Sequence, residues 1–392
     1  MPEVVIVEAL RSPFGRRNGA LSAVHAIELL GALQRAVVDR AGIDPTIVGQ
    51  VVGGCVDQVG MQSMNVARTA WLAAGLPMEV PASTIDSQCG SSQQAASFAY
   101  GLVASGIVEA AMACGVEVMS RVPIGANTPK DPDVGKPINR RYFEHFEFTS
   151  QYEGAERIAE KYGVSRADAD AFGKLSQDRA AAAWEKERFQ SQIVPIEVAD
   201  VDGSGKALGT THLVTRDEGL RETTLEGLAG LRPTARPDGV HTAGTASQIS
   251  DGASAMLLMA RPRAEALGLT IRATVVDCVL AGCDPVLMLE GPIPATRALL
   301  QRNAMTMHDI DLVEINEAFA SVVLAWAREM EADLGSVNPN GGAIAMGHPL
   351  GATGVALIAK AVHEMEASDA RHAIVTMCCG GGLGTGTLLR RG

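Results

Sequence analysis

The chain has 392 residues, 47% hydrophobic and 20% charged, with 42 glycines and no low-complexity tract. That length exceeds one ordinary core, so two or more domain-sized units are expected. A formal charge of −12 argues against a general nucleic-acid binder, which needs a positive face, while leaving room for a local basic patch that binds a phosphorylated cofactor.

Val4–Val7 reads as a strand with no cationic leader before it, and Leu388–Gly392 is not a peroxisomal address. No apolar run is long enough to span a bilayer, so neither membrane nor nucleic acid is an expected partner. The seven cysteines lack the spacing of a zinc site and read as reduced thiols, which together with the missing leader predicts a cytoplasmic protein.

Short apolar runs alternate with helical patterns over residues 1–120. Strands are predicted at Val4–Val7, Val51–Gly54, Val80–Ile85 and Ala110–Cys114, and helices at Ala23–Ala41, Asn65–Ala74 and Gln93–Val103. Residues 121–239 differ: four prolines break the chain between 123 and 137. Charged helices follow at Glu153–Tyr162 and Ala167–Glu187, then Gly-rich polar sequence. A segment this long inside an α/β repeat predicts an inserted lobe covering a site. Residues 240–270 are assigned to completion of the first half. Residues 271–392 repeat the opening rhythm, with strands at Ala273–Val279, Leu312–Ile315 and Ala373–Met377. Helices are predicted at Ala295–Asn303, Ala318–Met330 and Gly351–Met365. Leu312–Ile315 matches Val51–Gly54, and Ala373–Met377 matches Ala110–Cys114. Two like halves would place loops from each over a shared cleft.

Four motifs carry chemistry. Asp86-Ser87-Gln88-Cys89-Gly90-Ser91-Ser92 puts a cysteine at a strand-to-helix turn, where helix N–H groups favour a thiolate and small neighbours let a substrate approach. A free cysteine is more commonly a small buried hydrophobe, so the motif does not stand alone. Asn316-Glu317-Ala318-Phe319 follows a strand, and Asn316 either orients a water or an oxyanion or simply caps a helix. Asn340–Gly351 has glycines at phosphate-loop spacing, but His348-Pro349 stands where Lys-Ser/Thr is required, leaving a histidine in a constrained loop. Met377-Cys378-Cys379-Gly380-Gly381-Gly382 lacks the dinucleotide pattern. It sets a thiol at a strand end beside exposed N–H groups, suited to proton transfer. The other histidines and cysteines have no comparable setting.

In order and spacing these motifs resemble the thiolase family over essentially the whole chain. The resemblance implies a duplicated α/β/α/β/α five-layer fold with an inserted loop domain. It implies Cys89 as acylated nucleophile, His348 as its base, Cys378 as second acid/base, and Asn316 holding an oxyanion water. The N–H groups of Cys89 and Gly380 would form the other oxyanion site. Coenzyme A is then a co-substrate, with no permanently bound cofactor and no metal. Thr242–Ser247 matches the pantetheine-binding stretch, with Ser247 bonding the arm and Ala243 and Phe319 lining the tunnel. Arg221, with Thr223 and Thr224, is assigned to the nucleotide end. Ser150-Gln151 replaces the His-Met pair of biosynthetic acetoacetyl-CoA thiolases, so Gln151 is assigned to CoA or acyl chain.

The flanking sequence looks most like actinobacterial degradative thiolases, including those acting on steroid-derived acyl-CoAs. Thiolytic cleavage of a 3-oxoacyl-CoA is therefore expected, in a homodimer or homotetramer. The rivals are acetoacetyl-CoA synthesis, a decarboxylating ketoacyl synthase, which would use two histidines beside the cysteine, and a CoA-ester binding scaffold without turnover.

Overall fold

The computed structural model describes residues 2–201 and 207–392. Its strands are β1 (Val4–Arg11), β2 (Gly15–Arg16), β3 (Gln50–Gly54), β4 (Ala82–Ile85), β5 (Ala110–Val118), β6 (Ile196–Val201), β7 (Ala207–Val214), β8 (Ser250–Ala260), β9 (Ala273–Gly282), β10 (Leu312–Ile315), β11 (His372–Cys379) and β12 (Leu383–Arg391). Nine of them run in the order β10-β11-β12-β9-β1-β8-β5-β3-β4, with β2 paired to β8.

That order contains one pattern twice. β4 and β3 are parallel, β3 and β5 are parallel, and β5-β8-β1 continue antiparallel. In the other half β10 and β11 are parallel and β11-β12-β9 continue antiparallel, while a parallel bridge from Val313 to Val337 takes the place of β4. β1 and β9 then pair antiparallel, Val4 opposite Val275, and join the two halves edge to edge.

Alternation along the strands divides the core into layers, because successive side chains point to opposite faces. Val5, Met112 and Cys114 face the helices Ala26–Ala41 and Val66–Ala73, with Leu30, Leu33 and Trp71 between them. Val4, Ile6, Ala111, Ala373 and Val375 face a middle layer made by the helices Ser91–Ala104 and Leu350–Ser368. Val313, Ile315 and Ile374 face the helices Pro292–Arg302 and Ala320–Met330. The result is helix, sheet, helix, sheet, helix: five layers, as expected.

The middle helices are the most enclosed. Every residue from Leu350 to Met365 is buried, the pattern of a helix packed on all sides. Their close approach needs Gly354, where a Cβ would lie 2.6 Å from that of Gln93. Lys360 in this layer is compensated by Glu314 at 2.9 Å and the Gly341 carbonyl at 2.6 Å, since a buried ammonium needs both charge and hydrogen-bond partners.

Between β5 and β8 lie the helices Gln151–Tyr162 and Arg166–Glu185, the second opened by a Ser165/Asp168 capping box. The structure adds strands that the sequence reading missed, namely the two-residue β2, β8, β12 and the antiparallel hairpin β6–β7 within the supposedly polar stretch. The helix expected from Ala318 starts at Ala320 instead, because backbone pairing between Phe319 and Ala246 holds the preceding residues extended.

Candidate active site

The turn carrying Cys89 is stapled by its own side chains. Gln88 adopts φ 53°, a left-handed conformation, with its N–H donating to Asp86 Oδ1 at 2.7 Å. Ser91 Oγ accepts from the Ser87 N–H at 2.9 Å and donates to the Gln88 carbonyl at 2.6 Å. A left-handed non-glycine beside a reactive group is a conformation the surroundings must hold in place.

Those surroundings come from the other half of the chain. Gln93, one turn into the helix, donates to the Val375 carbonyl at 2.8 Å and Thr387 Oγ1 at 2.9 Å, and accepts from Thr385 Oγ1 at 2.6 Å. Gly90 lets the strand end approach, since a Cβ there would sit 2.5 Å from Cys379 Sγ. The N–H groups of Gly380 and of Cys89 itself both lower the Cys89 pKa as hydrogen-bond donors to the sulfur. Burial outweighs them and pushes the thiol up to about 11. This corrects the sequence expectation of a helix-stabilised thiolate: desolvation wins over the helix terminus, and Cys89 rests as a thiol at neutral pH.

Cys378 is fully buried beside Ala246, Met288, Ala318 and Phe319. Burial raises its pKa well above the ordinary thiol value, and a charge on Cys89 raises it further. The two sulfurs come one from each half, and their interaction opposes simultaneous ionisation.

His348 is held by a local relay. Its Nδ1 lies 2.6 Å from Thr353 Oγ1, whose single hydrogen is donated to the Pro349 carbonyl at 2.8 Å. Thr353 therefore accepts, Nδ1 carries the proton, and Nε2 is left with its lone pair. Asn316 Nδ2 approaches Nε2 at 3.4 Å. Burial lowers the imidazole to about 4, so it is neutral at pH 7 and available as a base.

Asn316 does not cap a helix; Phe319 occupies that position. Its Oδ1 is buried with no hydrogen-bond partner among the described residues, which leaves one acceptor of the amide unmet.

Glu317, which the sequence reading quoted without a role, fixes the His348 loop. It accepts from Ser176 Oγ at 2.6 Å, Asn338 Nδ2 at 2.9 Å and the Ile344 N–H at 3.1 Å. The His348 N–H donates to the Gln248 carbonyl at 3.1 Å. Thr353 and Gln248 were also missed. Thr353 had a findable signal, lying four residues beyond Pro349 on one helix face.

The residues assigned to the cofactor fall into two cavities. His348, Gln151, Ser247 and Phe319 line a narrow neck of about 30 Å³ with Met119, Ile124 and Tyr152. A neighbouring cleft of about 250 Å³ shares Met119, Ile124, Gln151, Tyr152 and Ile249 with that neck. Arg221, Thr223, Thr224 and Ala243 line a separate cavity of about 400 Å³ with Gln177, Leu228 and Leu231. Ala243 and Ser247 lie on one short segment, which connects the second cavity to the neck. Thr224 is also the N-cap of the helix Leu225–Ala229, accepting from the Gly227 N–H at 3.0 Å, and Glu222 brings a negative charge to the Arg221 rim.

Known proteins place this arrangement. Residues 4–262 match the family model for the thiolase N-terminal domain, and residues 269–391 that for the thiolase C-terminal domain. The chain is 43% identical over 397 residues to the steroid 3-ketoacyl-CoA thiolase FadA6 of Mycobacterium tuberculosis, covering 100% of this chain and 95% of the relative. It is 40% identical over 406 residues to the beta-ketoadipyl-CoA thiolase of Pseudomonas putida, with 100% of each covered. A crystal structure of the Bacillus anthracis acetyl-CoA acetyltransferase superposes with a TM-score of 0.91 at 35% identity, covering 100% of this chain and 99% of that one. With both family domains matched in sequence order and the duplicated fold shared from end to end, the chain belongs to the thiolase family.

Proposed function

We propose that the protein is an acyltransferase that cleaves a 3-oxoacyl-CoA with free CoA, releasing acetyl-CoA or propionyl-CoA and a shortened acyl-CoA. The observation that carries this reading is the pair of buried thiols, Cys89 and Cys378, contributed by opposite halves of the fold, a charge on the first opposing ionisation of the second. One sulfur forms the acyl-enzyme and the other moves a proton.

Cys89 Sγ passes its proton to His348 Nε2 as it attacks the 3-keto carbon, and the Cys89 and Gly380 N–H groups receive the oxyanion. The C2–C3 bond breaks, the acyl group stays on Cys89, and C2 takes the Cys378 proton. A high Cys378 pKa suits this step because the residue arrives protonated. Protonated His348 and Asn316, with its water, stabilise the enolate oxygen. The incoming CoA thiol then returns a proton to Cys378 and attacks the thioester, and Cys89 leaves and recovers its proton from His348. Kinetics are ping-pong.

CoA occupies the Arg221 cavity and reaches His348 past Ala243 and Ser247, with Gln151 and Phe319 at the neck. Glycine-lined backbone donors and a buried neutral histidine favour this reading over a binding scaffold, and names among the relatives (3-ketoacyl-CoA, steroid 3-ketoacyl-CoA and beta-ketoadipyl-CoA thiolase) support the degradative direction. Strand order supports a first half of residues 1–120 completed by 240–270, a covering lobe of 121–239 and a second half of 271–392. β4 lies at a sheet edge, which suits pairing with a second copy in a homodimer or homotetramer. No helix among the described residues is long and apolar enough to cross a membrane, and a cytoplasmic site of action is part of the proposal.

The test is CoA-dependent acetyl-CoA release from short, long and polycyclic 3-oxoacyl-CoA substrates, with intact-mass detection of acylated Cys89. Turnover without an adduct on Cys89 overturns the mechanism. Condensation of two acetyl-CoA as the only activity overturns the direction.

A further inference from the structure

The neck at His348 and the 250 Å³ cleft share five wall residues, and their combined lining is charged at a single point. Across both, the lining includes no aspartate, glutamate or lysine. His348 is neutral by burial, so Arg17 is the one formal charge. The chain has 45 acidic side chains against 33 lysines and arginines, so a lining with a lone cation and no anion runs against its own composition. Met119, Pro123, Ile124 and Ile249 supply the apolar wall, and Tyr152 and Gln151 the neutral polar groups.

Arg17 is also unengaged. Its neighbour Arg16 pairs with Glu218 at 3.8 Å, whereas Arg17 has no ion pair and no side-chain hydrogen bond among the described residues. Yet its backbone is anchored on both sides. Gly15 and Arg16 pair with Asp251 and Ser250, the Asn18 N–H donates to Ser120 Oγ at 2.8 Å, and Asn18 turns the chain at φ 58°. A guanidinium carried on a fixed turn, at the mouth of an apolar cleft, presents a planar set of donors that matches a carboxylate.

We infer that Arg17 forms a carboxylate subsite, and that the substrate class is 3-oxoacyl-CoA thioesters whose acyl chain ends in a carboxylate. This deepens the thiolytic reading and rests on it. The methylenes lie along Met119, Ile124 and Ile249, and the distal carboxylate meets Arg17. Such a product is a shortened dicarboxylic mono-thioester, so the reaction that supplies this enzyme must either oxidise carbon 3 of an ω-carboxyacyl-CoA or join CoA to a 3-oxo dicarboxylate.

The test uses the full chain, free CoA and matched pairs of substrates: 3-oxoadipyl-CoA against 3-oxohexanoyl-CoA, and 3-oxosuberyl-CoA against 3-oxooctanoyl-CoA. The wild type is expected to favour the carboxylate member of each pair in kcat/KM. R17A is expected to lower that preference roughly tenfold, chiefly through KM, a modest figure because the guanidinium is solvent-exposed. R17K should keep part of the preference and R17E should reverse it, and added salt should weaken the wild-type preference while leaving R17A flat. An unchanged substrate ratio in R17A, with both members slowed alike, overturns the subsite and assigns Arg17 to CoA or to folding. Wild-type cleavage of the neutral members alone overturns the subsite while upholding thiolysis. Cleavage of no member overturns both.

Discussion

Two helices cross the middle of the molecule, and each follows a reactive side chain set two positions before its first residue: Cys89 before Ser91, and His348 before Leu350. The repeated pattern places the proposed nucleophile and base at corresponding points of the two halves. Burial acts on both but in opposite directions, raising the thiol to about 11 and lowering the imidazole to about 4. Each is therefore neutral at rest, since an isolated charge is disfavoured there. Moving one proton between them creates opposite charges together, which the low-dielectric site tolerates better than either alone. The supports differ. The cysteine turn is surrounded by small residues and packs against a strand end, while the histidine is locked by Pro349 and Thr353 into one tautomer.

The largest expected effect tests whether the first position alone carries the acyl group. Cys89→Ser is predicted to abolish the acetyl adduct formed from acetyl-CoA and to reduce turnover on the order of 10³-fold or more. Intact-mass and steady-state measurements check it, and an adduct at another residue would reassign the nucleophile.

Next comes the sulfur that has no counterpart in this pairing. Cys378→Ala should still accept an acetyl group on Cys89, while carbon–carbon cleavage falls roughly 10²-fold or more. Near-normal cleavage by this variant would remove Cys378 from proton transfer.

Thr353→Val sharpens the histidine side of the comparison. Without the hydroxyl acceptor, the Nδ1 proton loses its partner and the tautomer with a free Nε2 loses its support. A roughly tenfold fall in kcat is expected, with a changed pH profile and recovery in Thr353→Ser. Equal losses in Val and Ser variants would reduce the role to packing.

The last effect is on stability rather than turnover, and concerns what lies beneath the second helix only. Glu117 accepts from the Val56 N–H at 3.0 Å and the Gly351 N–H at 2.9 Å, and burial raises its pKa to about 7. A folded pKa above the unfolded value means that the native state holds the extra proton. The associated stability is present below about pH 4.5 and is lost as pH rises through about 7. Wild type should therefore lose stability relative to Glu117→Gln over that interval, by up to about 3 kcal/mol. Unfolding titrations across pH 4–8 measure it, and a pH-independent difference would refute the shift.

Much of this architecture was readable in advance. The strands Gln50–Gly54 and Leu312–Ile315 lie within a residue of their expected bounds, because short apolar runs with turn residues on both sides have few alternatives. β8 and β12 were not read, since Ala253, Gly384 and Gly386 blur strand propensity and only pairing with neighbours decides them. Glu317 and Gln93 stayed silent for a similar reason: a polar residue acquires a structural role only when its partners arrive from 20 to 300 positions away.

The sequence by itself determined the residue types of the chemistry, the order of the four motifs and the repeated α/β rhythm. Those properties are local, written in periodicity, turn residues and side-chain reactivity. Only the tertiary structure decided that Cys89 rests as a thiol, that His348 holds its proton on Nδ1 and that Arg17 lines the cleft beside Met119 and Ile124. Protonation state and direction depend on desolvation and on partners brought together by folding, and neither quantity belongs to a residue alone.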